Sequence, residues 1–277
     1  MIPVFDNHVH LQKGGENVNA AKRYEGSGGK IINICNLPLN FRPSLDYFIE
    51  MYEDTLRIAE DVRRETSLKV LVTIGPYPVD VIRSVELIGF EKTEELFLKA
   101  TEIAARFIME GRANAIGEIG RPHFKVDKKI WDFSNSILEK QMGIAKDFDL
   151  PVVLHTESAS EGTFREISVM AERAGIKKWK VVKHYSPPLV LENENHGIFP
   201  SVISSRDNVR NAIKKGLDFF METDFLDDPE RKGAVMDIET VPKRFRMLEQ
   251  EYPGLYEKYL DNLKRNIIRI YGVEISD

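Results

Sequence analysis

Short apolar runs alternate along the chain with longer stretches in which apolar residues recur every three or four positions. The runs are "PVFDNHVHL", "KIINICNLP", "KVLVTIGPY", "NAIGEIG", "PVVLHTE", "KVVKHYS", "IFPSVIS" and "LDFFMETD", eight candidate strands. Between them, segments such as "SLDYFIEMYEDTLRIAEDVRRET", "TEELFLKATEIAARFIMEG" and "DFSNSILEKQMGIAKDF" carry the helical period. Each is long enough to cross over between two parallel strands. Such alternation, without a break in composition, predicts an α/β fold rather than separate sheet and helix domains. Over 277 residues, eight units average about 35 residues each, the size expected of an eightfold barrel. The expectation is a single (β/α)8 TIM barrel over residues 1–277 with extra C-terminal helices. After "METDFLDDP" there is no further strand candidate, and "YLDNLKRNIIRIYG" reads as a closing helix with a glycine stop.

Composition narrows this picture without redirecting it. The 42% hydrophobic and 30% charged content suits a globular chain with a sizeable core. No apolar run approaches the roughly 18 residues of a membrane span, and "MIPVFDNHVH" lacks the features of a signal peptide, so a cytoplasmic protein away from membranes is expected. Cys35 is the only cysteine and lies in an apolar run, where packing is its expected role. The net charge of −5 offers no general attraction to nucleic acid. An anionic substrate would need positive charge supplied locally, and a bound metal could supply it. Nothing in the sequence calls for an obligate protein partner.

Candidate chemistry begins at His8 and His10, two of only six histidines. Residues two apart on a strand share a face, roughly 6.6 Å apart along the backbone, so both imidazoles could converge on one ion. Alone, the pair reads equally well as a polar strand face. Glu118, His155, His184 and Asp224 change that, because each falls toward the C-terminal end of a candidate strand. That is the end where the loops of a barrel gather to build an active site. Four histidines and two carboxylates suit Zn²⁺ or Mn²⁺, with Mg²⁺ preferring more oxygen. Six ligands exceed one tetrahedral site, and two divalent ions sharing a bridging ligand use them economically.

In order, the HxH pair, the "GEIG" glutamate, the histidine after "LPVV", the later histidine and the "ETD" aspartate resemble the TatD family of metal-dependent hydrolases, within the amidohydrolase-like barrel superfamily. The resemblance implies that His8, His10 and Asp224 hold one ion, His155 and His184 the other, and that Glu118 bridges them. It further implies a hydrolase in which a hydroxide bridging the metals attacks a phosphodiester or phosphate ester, as in a deoxyribonuclease or exonuclease. Two divalent ions, two carboxylates and a hydroxide leave a net charge of about +1, which favours an anionic electrophile. Asp224 is the candidate to orient the attacking water and accept its proton, and Glu118 the second catalytic carboxylate.

The chain departs from the family pattern after "GEIG", where it reads "RPHF". Arg121 could clamp a phosphate or pair with a neighbouring acid. His123 could bind substrate or shuttle protons, or be a solvated loop residue. Glu157 stands where a cation would help grip a phosphate, which weakens the nuclease inference. Lys183, beside a ligand histidine, is expected to face outward, Ser204 or Ser205 to cap a helix, and His196 to be solvated. Two alternatives therefore stand beside hydrolysis of a nucleic acid or small phosphate ester. One is the same metal barrel acting on an amide, lactone or carboxylic ester, and the other is a non-enzymatic metal-binding barrel.

Overall fold

In the computed structural model, which describes residues 2–231 and 233–275, every apolar run contains a strand. These are β1 (Phe5–His10), β2 (Ile31–Cys35), β3 (Lys69–Ile74), β4 (Ala115–Gly120), β5 (Val152–His155), β6 (Val181–Ser186), β7 (Phe199–Ile203) and β8 (Phe220–Glu222). They lie side by side in chain order, each parallel to the next. The expectation of eight strands needs one correction. A ninth, β9 (Phe225–Leu226), pairs in parallel with β1. Two residues are too short for an apolar period to register in the sequence.

This short strand closes the sheet. It follows β8 after only Thr223 and Asp224, so the last strands lie against the first. Asp6 on β1 reinforces the closure, its carboxylate accepting the Thr223 backbone N–H (3.0 Å) and hydroxyl (2.7 Å). The result is an α/β TIM barrel.

The amphipathic segments form the outer layer, α1 (Val18–Gly26), α2 (Leu45–Glu65), α3 (Asp80–Ile88), α4 (Phe90–Met109), α5 (Lys128–Asp147), α6 (Glu161–Ala174), α7 (Glu192–Asn195) and α8 (Arg206–Lys215). Two more, α9 (Thr240–Glu251) and α10 (Pro253–Tyr271), follow the last strand. Four starts are fixed by side chains that accept otherwise unpaired backbone N–H groups, Ser44 on α2, Asp127 on α5, Ser160 on α6 and Ser205 on α8. Ser205 is thus an ordinary cap. Helix α10 ends at Gly272, whose φ of 66° is left-handed backbone that glycine adopts without strain. Among the described residues no helix is long and apolar enough to cross a membrane.

Phe5, Phe199 and Phe220 are the first residues of β1, β7 and β8. They pack together with centroids 5.2 Å (Phe5–Phe220) and 4.6 Å (Phe199–Phe220) apart, and Tyr271 of α10 stacks on Phe220 at 5.8 Å. Aromatic packing therefore fills the N-terminal end of the barrel, leaving polar chemistry to the other end.

Candidate metal centre

The strand ends carry the six metal-capable residues to one place. His8 and His10 close β1, Glu118 lies on β4, His155 ends β5, His184 lies on β6, and Asp224 lies between β8 and β9. Three of these strands break register where a ligand candidate sits. The shifts fall between Asp6 and Val9, between Gly117 and Ile119, and between Lys183 and Ser186. An irregularity of this kind re-aims side chains. Its effect is visible on β1, where consecutive residues reach the same interior: Asn7 donates to Ser201 Oγ (3.0 Å) while His8 stacks on His184 at 4.1 Å. The glycines of "GEIG" have a steric reason. A Cβ on Gly117 would lie 2.8 Å from the Val153 carbonyl oxygen, and one on Gly120 would fall on the carbonyl of His155.

Glu118 is the hub. Its Oε1 lies 2.9 Å from His184 Nε2, 3.1 Å from His155 Nδ1 and 3.3 Å from His8 Nε2, and its Oε2 lies 3.9 Å from His10 Nε2. Asp224 Oδ1 is 3.6 Å from His10 Nε2 and 3.9 Å from His8 Nε2. Among the described residues, three groups have their ligand atoms within 4.8 Å of one another: His8, His10 and Glu118; Glu118, His155 and His184; and His8, His184 and Asp224.

Each imidazole turns one nitrogen inward and has a partner for the other. His10 Nδ1 lies 3.2 Å from the Cys35 carbonyl, His8 Nδ1 3.4 Å from Cys35 Sγ, and His184 Nδ1 3.2 Å from Glu222 Oε1. His155 is reversed, with Nε2 2.8 Å from His123 Nδ1 and 3.4 Å from the Tyr77 hydroxyl. With the outer nitrogens protonated toward these partners, four lone pairs face the two carboxylates. Nitrogen lone pairs and anionic oxygens repel unless a cation lies among them, so this donor set fits a divalent metal.

Proton affinities divide the four imidazoles into a neutral pair and a pair drawn toward the protonated form. Burial pushes the His10 and His155 imidazoles down to about 4, so both are neutral at pH 7. Burial alone would raise Glu118, but His184, His155 and His8 overcome it and hold the carboxyl well below the usual range. Burial dominates at Asp224 and raises it to about 6. Against burial, Cys35 and Glu118 raise His8, and against burial and His8, Glu118 and Glu222 raise His184.

Sequence reasoning passed over Glu222 and Tyr77. Glu222 is fully buried and begins a polar chain: it accepts Ser201 Oγ–H, Ser201 accepts Asn7 Nδ2–H, and Asn7 Oδ1 accepts the Tyr271 hydroxyl (2.6 Å). A signal existed, since Glu222 lies two residues before Asp224. Cys35, read as packing, is buried but also backs both β1 histidines.

Arg121 is 1% exposed, with Nε on Glu157 Oε2 (2.8 Å), Nη2 on Glu166 Oε2 (2.9 Å) and Nη1 on Asn135 (3.1 Å), its guanidinium 4.3 Å over Trp131. Neither Arg121 nor Glu157 is among the residues lining the metal cleft. Lys183 is completely buried and donates to the His184 carbonyl, and burial lowers it to about 8. His123 is exposed but tied to His155, whereas His196 is half-buried at the end of α7 rather than free in solvent.

The cleft over the cluster has a volume of about 280 Å³ and is lined by His10, Glu118, His155, His184 and Asp224 together with Tyr77, Arg231 and the apolar Leu37, Pro38, Leu226 and Val235. The family model described as TatD related DNase matches residues 5–272. The uncharacterized protein MJ1127 of Methanocaldococcus jannaschii is 35% identical over 99% of this chain and 98% of its own length. Among solved structures, the TatD homologue YJJV from Escherichia coli superposes with a TM-score of 0.68 at 19% identity, covering 99% of this chain and 100% of that one. A phosphotriesterase-like lactonase from Deinococcus radiodurans superposes with a TM-score of 0.62 at 12% identity, covering 97% and 94%. A family match over nearly the whole length, on a barrel whose strand ends gather His8, His10, Glu118, His155, His184 and Asp224, places this chain in the TatD family of metal-dependent hydrolases.

Proposed function

We propose that the chain is a binuclear metal-dependent hydrolase of compact phosphate esters, nucleotide-sized or smaller. The observation that carries this reading is the orientation of four imidazoles, each with one nitrogen toward Glu118 or Asp224 and the other already engaged. His8, His10 and Asp224 would hold one ion, His155 and His184 the other, and Glu118 would lie between them; two of the three donor groups share Glu118. Two divalent cations, Zn²⁺ or Mn²⁺ for so nitrogen-rich a set, would supply Lewis acidity and positive charge toward an anionic ester.

The chain's own residues do the rest. Asp224 Oδ1, at the cleft wall, would orient the attacking water and take its proton. Glu222 holds the proton on His184 Nδ1, keeping Nε2 free. Arg231, the one arginine or lysine lining the cleft among the described residues, is exposed and paired with Asp228 (2.6 Å), and would turn to meet the substrate's charge. Glu157, on sequence grounds an obstacle to phosphate, is paired with Arg121 away from the cleft, so its charge does not oppose an anion there. The cleft volume of about 280 Å³ is at the small end for ligand sites, which favours a compact substrate.

A second reading, hydrolysis of a lactone or carboxylic ester, draws on the apolar rim of Leu37, Pro38, Leu226 and Val235. Elemental analysis of protein purified without added metal, with rates on p-nitrophenyl phosphate, bis(p-nitrophenyl) phosphate and a lactone panel in Zn²⁺ and Mn²⁺, separates them. Two ions per chain with turnover of phosphate esters is expected. Turnover of lactones alone selects the second reading, and no binding of either ion overturns both. Glu118→Gln is expected to lower bound metal and to cut turnover by at least about 100-fold. Full metal retention in that variant would contradict a bridging role.

A further inference from the structure

Beside the metal cleft lies a second cavity, about 380 Å³ in volume. Pro38 and Tyr77 belong to the walls of both. The Tyr77 hydroxyl lies 3.4 Å from His155 Nε2 while the residue also lines this neighbouring space, so it stands between the two. Phe41 and Phe124 add two further aromatic walls, and Phe124 remains 45% exposed despite its size. It comes from "RPHF", the stretch that departs from the family pattern.

One polar group in this cavity lacks an explanation within the fold. Asp80 is 6% exposed, and its Oδ2 is buried with no hydrogen-bond partner among the described residues. A buried, unpaired carboxyl oxygen is costly, and folded proteins retain few of them. Arg83, on the same wall, is exposed and opposes the burial only through its field. An aromatic-walled space with one unsatisfied acceptor, opening beside a hydrolytic centre, has the chemistry of a ring-binding subsite. Rings are held there by stacking and edge contacts, and the acceptor selects which rings.

We propose that this cavity is the leaving-group subsite of the hydrolase and takes a planar aromatic ring bearing an N–H donor, the ring against Phe124 and Tyr77 and the donor on Asp80. The proposal rests on the hydrolytic reading of the adjoining metal centre. It deepens that reading by naming the group to which the scissile ester is attached. Two kinds of compound carry such a ring, a nucleobase with an exocyclic amine and a simple aryl amine.

The test compares matched pairs on the full-length, metal-loaded protein. Adenosine against purine riboside, and 4-aminophenol against phenol, differ only in the amine. Their Kd values by calorimetry are measured beside the KM values of the corresponding monophosphates. The amine-bearing member of at least one pair is expected to bind about 10-fold more tightly. A preference in the adenosine pair points to nucleotides, and one confined to aminophenol points to aryl esters. Asp80→Ala is expected to erase the preference without weakening the amine-free member, and Asp80→Asn to reduce it. Phe124→Ala should weaken both members. Equal binding within both pairs, or a preference that survives Asp80→Ala, overturns the subsite. A preference without hydrolysis of any phosphate monoester or diester keeps the subsite and overturns the phosphate-ester reading, whereas hydrolysis without preference does the reverse.

Discussion

At Glu222 a single carboxylate faces two ways. Oε1 receives the backbone N–H of Tyr185 at 2.5 Å and lies 3.2 Å from His184 Nδ1, while Oε2 receives the hydroxyl of Ser201. Substituting Glu222→Gln keeps the shape but removes the charge that holds a proton on His184 Nδ1. Metal affinity is expected to fall about 10–100-fold with the fold intact, measured by competition with a chromogenic chelator against the circular dichroism spectrum. Asp80 allows a pH prediction at the same scale. Burial raises its carboxyl from 3.8 to about 7, with Arg83 opposing. A folded-state value above the unfolded one means the native state keeps its proton longer, so stability falls as pH rises from about 4 to about 7. Asp80→Asn should flatten that decline, by up to about 4 kcal/mol, in denaturant titrations at pH 4 and pH 8. Single residues are also where the sequence was least legible. Neither a strand glutamate nor an arginine just past a strand announces which way it points, so Glu222 was passed over and Arg121 was left between two roles.

Among the elements, legibility was high wherever period and position coincided. Helices showed their turns and caps, strands showed their apolar runs, and the ligand candidates were found because each lies near a strand's C-terminal end. Strict alternation, by contrast, predicts that neighbours on a strand face opposite ways, and β1 breaks that rule at Asn7 and His8. Register shifts leave no mark in composition, and β9 is too brief to have a period. The loop after β4 has its own device: Arg121 ties it to Glu157 after β5 and to Glu166 on α6. Arg121→Met would leave Glu157 half-buried without its partner. The cost is expected to be about 2–4 kcal/mol, below that of a fully buried pair because Glu157 and Glu166 are 27% and 62% exposed. A chemical-denaturation midpoint unchanged from the parent would contradict this.

Considered whole, the barrel has an apolar end and a polar end, and the hydrogen-bonded side chains of Tyr271, Asn7, Ser201 and Glu222 run between them to His184. Three donors point toward Glu222, phenol to amide, amide to hydroxyl and hydroxyl to carboxylate, and the His184 Nδ1–H meets the same carboxylate from the other side. The direction is fixed at the far end, because the Tyr271 hydroxyl has a proton to give and Asn7 presents its oxygen to receive it. With Oε2 already receiving Ser201, Glu222 turns Oε1 to His184 Nδ1 and the Tyr185 N–H, so a tautomer change at His184 would set a nitrogen lone pair against a carboxylate oxygen. The closing helix therefore helps to hold the carboxylate that faces the outer nitrogen of a candidate metal ligand. Tyr271→Phe should loosen it, lowering metal affinity several-fold with little change in the ligand set, as read by Co²⁺ absorption spectra. By that route the last turn of α10 would bear on which nitrogen of His184 is free to bind.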